Sequence, residues 1–154
     1  MFYINYYDFM DYSKYKLLYK GKYGSIYDPG VEGFLICEYS GYWDKSDEKF
    51  VEDMLKGVDL LIKHKAIVDL CDHRKEHVIE PSTIEWIRVN WYKKLFESGL
   101  KYEVCIAPES IVGKLSHKRL VSSETIENVE VDTFVDADEA YSACLKYLKN
   151  IMNK

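Results

Sequence analysis

The order of apolar segments after Gly33 constrains the fold of this chain more than any other feature. Four short apolar runs of the kind that form strands alternate with longer segments whose apolar residues recur at helical spacing. The runs cover residues 33–39, 66–71, 102–107 and 129–134. Because such alternation favours parallel strands joined by helices, we expect an α/β fold with a mainly parallel sheet of four to five strands.

The N-terminal region is rich in tyrosine, since eight of the fourteen tyrosines precede Asp28. Tyrosine suits a half-buried strand or an interface, because its ring is apolar and its hydroxyl is polar. We expect residues 1–22 to form a tyrosine-rich arm packed against an α/β domain of residues 23–154, with N-terminal antiparallel strands at the sheet edge. The alternative is a self-association surface, which would make the protein a homodimer.

Length and charge argue against several classes of protein. The 154 residues are enough for one domain with a single core. The net charge is -5 and no long basic stripe is present, which argues against general nucleic-acid binding. No segment reaches the roughly 18 apolar residues of a membrane span, and the first residues lack the basic region of a secretory signal. We therefore expect a cytoplasmic protein without a membrane span.

The four cysteines and the common catalytic motifs give little sign of chemistry. Cys37, Cys71, Cys105 and Cys144 form no CxxC pair, and three of them lie in or at the end of apolar runs. We expect free, buried thiols that pack as small apolar groups. The sequence contains no GxGxxG, P-loop, GxSxG or HExxH motif. We therefore expect no cofactor.

Polar residues at the end of the second apolar run are the first candidates for a site, because ligands of α/β sheets bind at the carboxyl ends of strands. Asp69, Asp72, His73 and His77 carry groups that suit zinc or non-haem iron. However, the density of charge in residues 72–77 indicates a solvated loop. We therefore predict no metal site, and an enzyme that uses Asp69, Asp72 and His73 remains an alternative.

Ser82 lies where the second long helix is expected to begin, after a loop that follows a buried strand. Ser82 and Glu85 have the spacing of a capping box, in which each side chain accepts from a free backbone N–H. A phosphate on Ser82 would meet the same N–H groups and the positive end of the helix dipole. The sequence thus predicts either a plain helix cap or a phosphorylation switch.

The pattern of residues 23–152 resembles the STAS fold, in particular a divergent branch related to anti-anti-sigma factors. The features that carry the resemblance are the strand at 34–36, the strand at 66–70 with its late aspartate, the tryptophan-containing helix at 84–96, the Gly-Leu-Lys segment before the strand at 104–108, and the start of the last helix at 134–140.

The resemblance implies a non-enzymatic protein-interaction or regulatory domain with a protein partner. In such domains a serine or threonine at a helix N-terminus is phosphorylated by a partner kinase. The corresponding stretch here, residues 80–84, keeps the serine and lacks the glycine of the family. The candidate switch or partner-binding residues are therefore Ser82, Thr83, Asp69 and Asp72.

The wider fold neighbourhood includes CRAL-TRIO lipid-binding domains, which implies a different function. The chain would then be a small apolar-ligand or lipid-binding module. Trp86 would line its pocket near the N-terminal tyrosines. The alternative for Trp86 is packing over the sheet edge or the N-terminal arm.

Overall fold

A computed structural model describes residues 10–122 and 129–153 of the chain. Its strands are β1 (Lys16–Lys20), β2 (Gly24–Asp28), β3 (Phe34–Trp43), β4 (Val68–Ile79), β5 (Tyr102–Ile106) and β6 (Glu130–Phe134). Its α-helices are α1 (Glu48–Lys63), α2 (Pro81–Ile87), α3 (Lys93–Ser98), α4 (Ile111–Ser122) and α5 (Ala137–Met152). A short 3-10 turn at Tyr12–Lys14 precedes β1, and a π-helical turn at Arg88–Tyr92 joins α2 to α3. None of the helices in these described ranges has the length and apolarity to cross a bilayer.

The six strands form one mixed sheet in which spatial order follows chain order, from β1 to β6. β1, β2 and β3 pair antiparallel, and β3 to β6 pair parallel. The expected α/β fold with antiparallel N-terminal edge strands is therefore confirmed. β1 lies within residues 1–22, so part of the predicted arm is a strand of the sheet. Residues 1–9 of that arm lie outside the described part of the chain.

Helices cover the sheet on both faces, and successive strand residues point alternately to each. On one face, here called the α1 face, Phe50 and Met54 of α1 and Ile87 of α2 pack on strand residues that include Leu35 and Cys37. On the other, here called the α5 face, the strand side chains Phe34, Ile36, Leu70 and Val104 pack with Ala140, Tyr141, Cys144 and Leu148 of α5. This alternation decides which polar side chains can meet.

The second parallel strand is longer than the sequence indicated. Residues 72–77 continue β4 instead of forming a loop, so the prediction of a solvated loop is wrong. β4 extends to Ile79 because β3 is also long and pairs with it as far as Trp43. Lys75 and His77 are exposed while Glu76 and Ile79 are buried, so the charged residues of this segment lie on a strand that is only half covered.

Candidate functional site

Two irregularities in β4 place polar and apolar side chains on the α1 face at intervals of three residues. The β3–β4 register shifts between Glu38 and Ser40 and again between Gly41 and Trp43, and each time β4 gains one residue. Such bulges redirect the side chains that follow them. As a result His73, Glu76 and Ile79 are all buried.

The parallel register aligns a second set of groups across the sheet. Cys37 pairs with Cys71 and Cys71 pairs with Cys105, so three cysteines form a row across β3, β4 and β5. Asp69 pairs with Glu103 one row earlier on the same face. Together with residues from the bulged part of β4 and one residue from α4, these side chains form a group that we call the buried polar cluster. Each member is no more than 5% exposed. The members are Asp69, Cys71, His73, Glu76, Glu103, Cys105 and His117.

A glycine lets α4 bring His117 to the cluster. A Cβ atom at Gly113 would lie 2.7 Å from the backbone oxygen of His77 and 2.8 Å from that of Glu76. Because both atoms are backbone, no larger residue fits while α4 keeps this position. The close approach places the His117 ring 4.5 Å from the ring of His73, between ring centres.

His73 is held by a hydrogen bond to one ring nitrogen and by a stacking contact on its ring. Its Nδ1 atom hydrogen-bonds to Glu76 Oε2. Its ring stacks on Tyr39, with 5.1 Å between the ring centres. The orientation of the imidazole is therefore fixed, and Cys105 is a second neighbour of the ring beside Glu76.

A small cavity adjoins the cluster. Its volume is about 10 Å³, close to the space that one water molecule needs. Its walls are Tyr39, Trp43, Met54, His73, Ile87, Trp91, Tyr92, Glu103 and Leu120. The π-helical turn contributes two of these side chains, Trp91 and Tyr92, from adjacent positions. Such turns occur often at functional sites.

Several buried polar atoms here have no hydrogen-bond partner within the described part of the chain. They are Asp69 Oδ1, Glu76 Oε1, Glu103 Oε2, Trp91 Nε1 and both ring nitrogens of His117. Buried polar groups are nearly always satisfied in folded proteins, because an unsatisfied group costs about 1–3 kcal/mol. So many unpaired atoms at one place indicate a role other than stability.

Burial raises the pKa values of several side chains in the cluster. Burial raises the pKa of Asp69 well above its usual value, and the neighbouring Glu103 carboxylate adds to the shift. Burial likewise raises the pKa of Glu103 to about 8, and Cys105 adds to this shift. The Cys71 thiol also has a raised pKa because it is buried, and its Sγ lies 3.3 Å from Asp69 Oδ2 and 3.5 Å from Glu103 Oε1. The carboxyl and thiol protons are thus retained here.

The pKa values of His73 and Cys105 are shifted in the directions that favour the charged forms of these side chains. Burial opposes the charge on His73, but the Glu76 carboxylate and Cys105 together hold its pKa well above the usual value. A hydrogen bond from Cys71 and the nearby histidines hold the pKa of Cys105 well below its usual value. The shifts favour a thiolate at Cys105 and a proton on His73. Thiolate sulfur, and imidazole nitrogen once that proton is lost, are strong ligands for transition metals.

The acidic residues predicted to share a site with His73 do not all reach it. Asp69 and His73 belong to the cluster, but Asp72 points to the α5 face because strand residues alternate. There it accepts hydrogen bonds from Tyr12 Oη at 2.7 Å and from Arg74 Nε at 3.0 Å and Nη2 at 2.9 Å. The proposed grouping of Asp69, Asp72 and His73 in one catalytic site is therefore wrong. His77 is exposed and lies outside the cluster.

Ser82 is exposed, but it is not the cap of its helix. The N-cap is Glu80, whose carboxylate accepts from the backbone nitrogens of Ser82 and Thr83, each at 3.1 Å. Glu85 pairs instead with Arg88 at 3.0 Å, so the predicted capping box between Ser82 and Glu85 is wrong. The observed cap lies two residues before the predicted one, because β4 runs to Ile79 and Pro81 takes the first helical position.

The other predicted contact residues lie inside the protein. Thr83 is fully buried, and its hydroxyl accepts from the backbone nitrogen of Lys45 at 2.8 Å. Asp69 is also fully buried and Asp72 is 3% exposed. These three side chains therefore cannot form a surface that a partner contacts directly, and Ser82 alone of the four is accessible.

Trp86 is half-buried between helices. Its ring packs against Phe50 of α1, with 5.9 Å between the ring centres, and Phe50 also contacts Tyr23. Trp86 does not border the small cavity, whereas Trp91 does. Trp86 thus packs on α1, whereas the packing interpretation placed it over the sheet edge or the N-terminal arm.

The sequence analysis missed Glu76, Glu103, Cys105 and His117 as members of a site. One signal was present for two of the strands: residues 69–71 read Asp-Leu-Cys and residues 103–105 read Glu-Val-Cys. An acid and a cysteine two positions apart share a strand face, and two such strands side by side bring four groups together. No sequence signal identified His117.

Comparison of the chain with models of known protein families and with curated proteins found no match.

Proposed function

We propose that this chain is a non-enzymatic, STAS-like protein-interaction or regulatory domain whose partner binding is controlled by phosphorylation of Ser82. The observation that carries the proposal is the position of Ser82. Its side chain is exposed in the first turn of the helix that follows β4, and its hydroxyl donates a hydrogen bond to Glu80 Oε2. A kinase can reach this hydroxyl, and a phosphate here meets the carboxylate that caps the helix.

Phosphorylation at this position acts on the helix cap. Glu80 holds the two backbone nitrogens that a phosphate on Ser82 would also seek, and the two anions repel each other. The phosphate therefore displaces the Glu80 side chain. Because Thr83 binds Lys45 in the loop before α1, the change extends from the start of α2 to that loop.

The small cavity beside the buried polar cluster does not provide the space that the two alternative functions would need there. Its volume of about 10 Å³ is far below the roughly 300–1,000 Å³ of a small-molecule pocket. A lipid or an enzyme substrate does not fit there without a rearrangement of the helices. The cavity thus gives no specific support to a lipid-binding or an enzymatic function.

The test compares the wild-type chain with Ser82→Ala, Ser82→Asp and a control, Ser142→Asp, as bait in lysate of the native host. Ser142 is an exposed helical serine on α5, on the opposite side of the sheet. We expect one partner to be retained by wild type, Ser82→Ala and Ser142→Asp and lost by Ser82→Asp.

Phosphate mapping completes this experiment. After incubation of the chain with the same lysate and ATP, mass spectrometry should find phosphate on Ser82 and none on the Ser82→Ala variant. Equal partner recovery by all four baits, with Ser82 unmodified, would contradict the proposal.

A further inference from the structure

We propose that His73, Cys105 and His117 bind one divalent transition-metal ion of the Zn²⁺ type inside the buried polar cluster. The three residues come from β4, β5 and α4, and one ligand atom of each lies within 4.8 Å of the others. In a tetrahedral zinc site with bonds of about 2.0–2.3 Å, ligand atoms are about 3.3–3.8 Å apart. Side-chain movements of about 1 Å therefore close this set around an ion.

His117 gives the clearest sign that something occupies this place. Its side chain is 5% exposed, and neither ring nitrogen meets a described residue with hydrogen-bond geometry, although the Cys105 thiol lies close to the ring. An imidazole carries at least one N–H donor and, when neutral, one acceptor, so the described residues leave His117 without a well-placed hydrogen-bond partner. A metal ion would use one of these nitrogens as a ligand.

His73 is arranged as metal-binding histidines usually are. Glu76 engages its Nδ1 atom and leaves Nε2 available as a ligand. A carboxylate behind a ligating histidine fixes the ring and makes the nitrogen a better donor. Glu76 is therefore a positioning residue of the site, brought there by the first bulge in β4.

The fourth coordination position is assigned to the side of the small cavity. Glu103 lines this cavity and has an unpartnered oxygen, Oε2, and the cavity has room for about one water molecule. One of these two oxygens completes a tetrahedral set. The mixture of one sulfur, two nitrogens and one oxygen suits zinc or cobalt better than magnesium or calcium, which prefer oxygen ligands.

A neighbouring group of possible ligands is less suitable. Cys37, Asp69 and Cys71 also lie close together and are buried. However, Cys71 has its Sγ 3.3 Å from Asp69 Oδ2, so these groups already satisfy one another in part. The ion is therefore assigned to the histidine-containing set.

The test uses the full chain, stripped with a chelator and titrated with Co²⁺ as a probe. Tetrahedral Co²⁺ bound by a thiolate gives intense visible bands and a near-ultraviolet sulfur-to-metal band. We expect both bands to saturate at one Co²⁺ per chain and to vanish when Zn²⁺ displaces the cobalt. The absence of these bands in the folded wild-type chain would overturn the proposal.

Matched variants identify the ligands. Cys105→Ser should abolish the sulfur-to-metal band, whereas Cys144→Ser, which changes another fully buried cysteine on the α5 face, should retain it. His117→Gln should lose stoichiometric binding, whereas the exposed-site control His77→Gln should not. Glu76→Gln should weaken Co²⁺ binding about 10- to 100-fold with the bands preserved.

X-ray absorption of the zinc-loaded wild-type chain keeps the test decisive if a variant fails to fold. We expect one sulfur and three nitrogen or oxygen neighbours around the zinc. A shell without sulfur, or one with two sulfurs, would exclude the assigned ligands.

Discussion

The two faces of the sheet differ in how many of their buried polar atoms have hydrogen-bond partners, although Tyr15 Oη on the α5 face also lacks one among the described residues. On the α5 face, Asp72 accepts from Tyr12 and twice from Arg74, and Tyr102 donates to Asp132 at 2.6 Å. On the α1 face, the buried polar cluster includes several atoms without partners. Both faces are built from the same strands, so strand sequence alone does not explain the difference.

This difference indicates which buried polar groups contribute to stability and which are expected to serve a function. Paired polar groups such as those on the α5 face stabilise a fold or are neutral to it. Unpaired ones lower stability, so they are expected where a ligand or a reaction requires them. The α1 face is therefore where a ligand of the folded protein should be sought, and substitutions on the two faces should differ in sign.

The largest effect should follow from Asp72→Asn on the α5 face. The change leaves Arg74 without its carboxylate partner. We expect a loss of about 2–3 kcal/mol in the free energy of unfolding at pH 7, less than for a fully buried pair because the Arg74 side chain is 27% exposed. Urea unfolding measures the loss, and Asp59→Asn on the exposed side of α1 is the control.

The pH dependence of this loss has a defined sign. Hydrogen bonds from Arg74 and Tyr12 outweigh burial and hold the pKa of Asp72 below its usual value in the native state. Its stabilisation is therefore present above the unfolded pKa of about 3.9 and disappears as pH falls through the native pKa. A cost that stayed constant down to pH 2 would contradict the assigned ion pair.

Glu103→Gln on the α1 face should have the opposite effect. The native pKa of Glu103 is about 8, whereas the unfolded value is about 4.3. Between these values the native state holds a proton that the unfolded state has lost, so wild-type stability falls as pH rises from about 4 to 8. Glutamine cannot ionise and removes this loss.

We expect metal-free Glu103→Gln to match wild type near pH 4 and to exceed it by about 1–2 kcal/mol at pH 8. This is less than one uncoupled group would give, because Asp69 titrates together with Glu103. Urea unfolding in the presence of chelator at several pH values measures the difference, with the exposed Glu52→Gln as control. Parallel stability curves for wild type and Glu103→Gln would rule out a neutral, buried Glu103.

The strands and helices of this fold could largely be predicted, because burial imposes a period on each element. The apolar runs before Cys71 and Cys105 reflect the burial of their strands. The helical spacing of apolar residues in α1 and α5 likewise reflects the packing of these helices on the sheet. The end of β4 was missed because two bulges break the alternation of polar and apolar residues. A strand with such bulges resembles a loop in sequence.

The buried polar cluster could be predicted only in part. The acid and cysteine pairs of β4 and β5 are visible in sequence, but their alignment depends on the parallel register between the strands. His117 reaches the cluster because Gly113 lets α4 approach the β4 backbone, and this depends on tertiary packing. Ser82 was located correctly on a helix start, but its capping partner was not.

The smallest effect, and the most direct comparison of the two faces, comes from removing a single polar group on each. Tyr12→Phe on the α5 face removes a hydroxyl that donates to Asp72 at 2.7 Å, and should cost about 1 kcal/mol. His117→Leu on the α1 face replaces an unpaired imidazole with an apolar group of similar size. It should leave metal-free stability unchanged or raise it by up to about 1 kcal/mol.

Thermal and urea unfolding of both variants, with and without Zn²⁺, completes the comparison. Added Zn²⁺ should stabilise wild type and Tyr12→Phe but not His117→Leu, because a ligand that binds only the native state raises its stability. A loss above about 2 kcal/mol for metal-free His117→Leu would mean that His117 is part of ordinary packing. The polar groups of the two faces would then not differ in kind, and the unpaired nitrogens would no longer indicate a ligand.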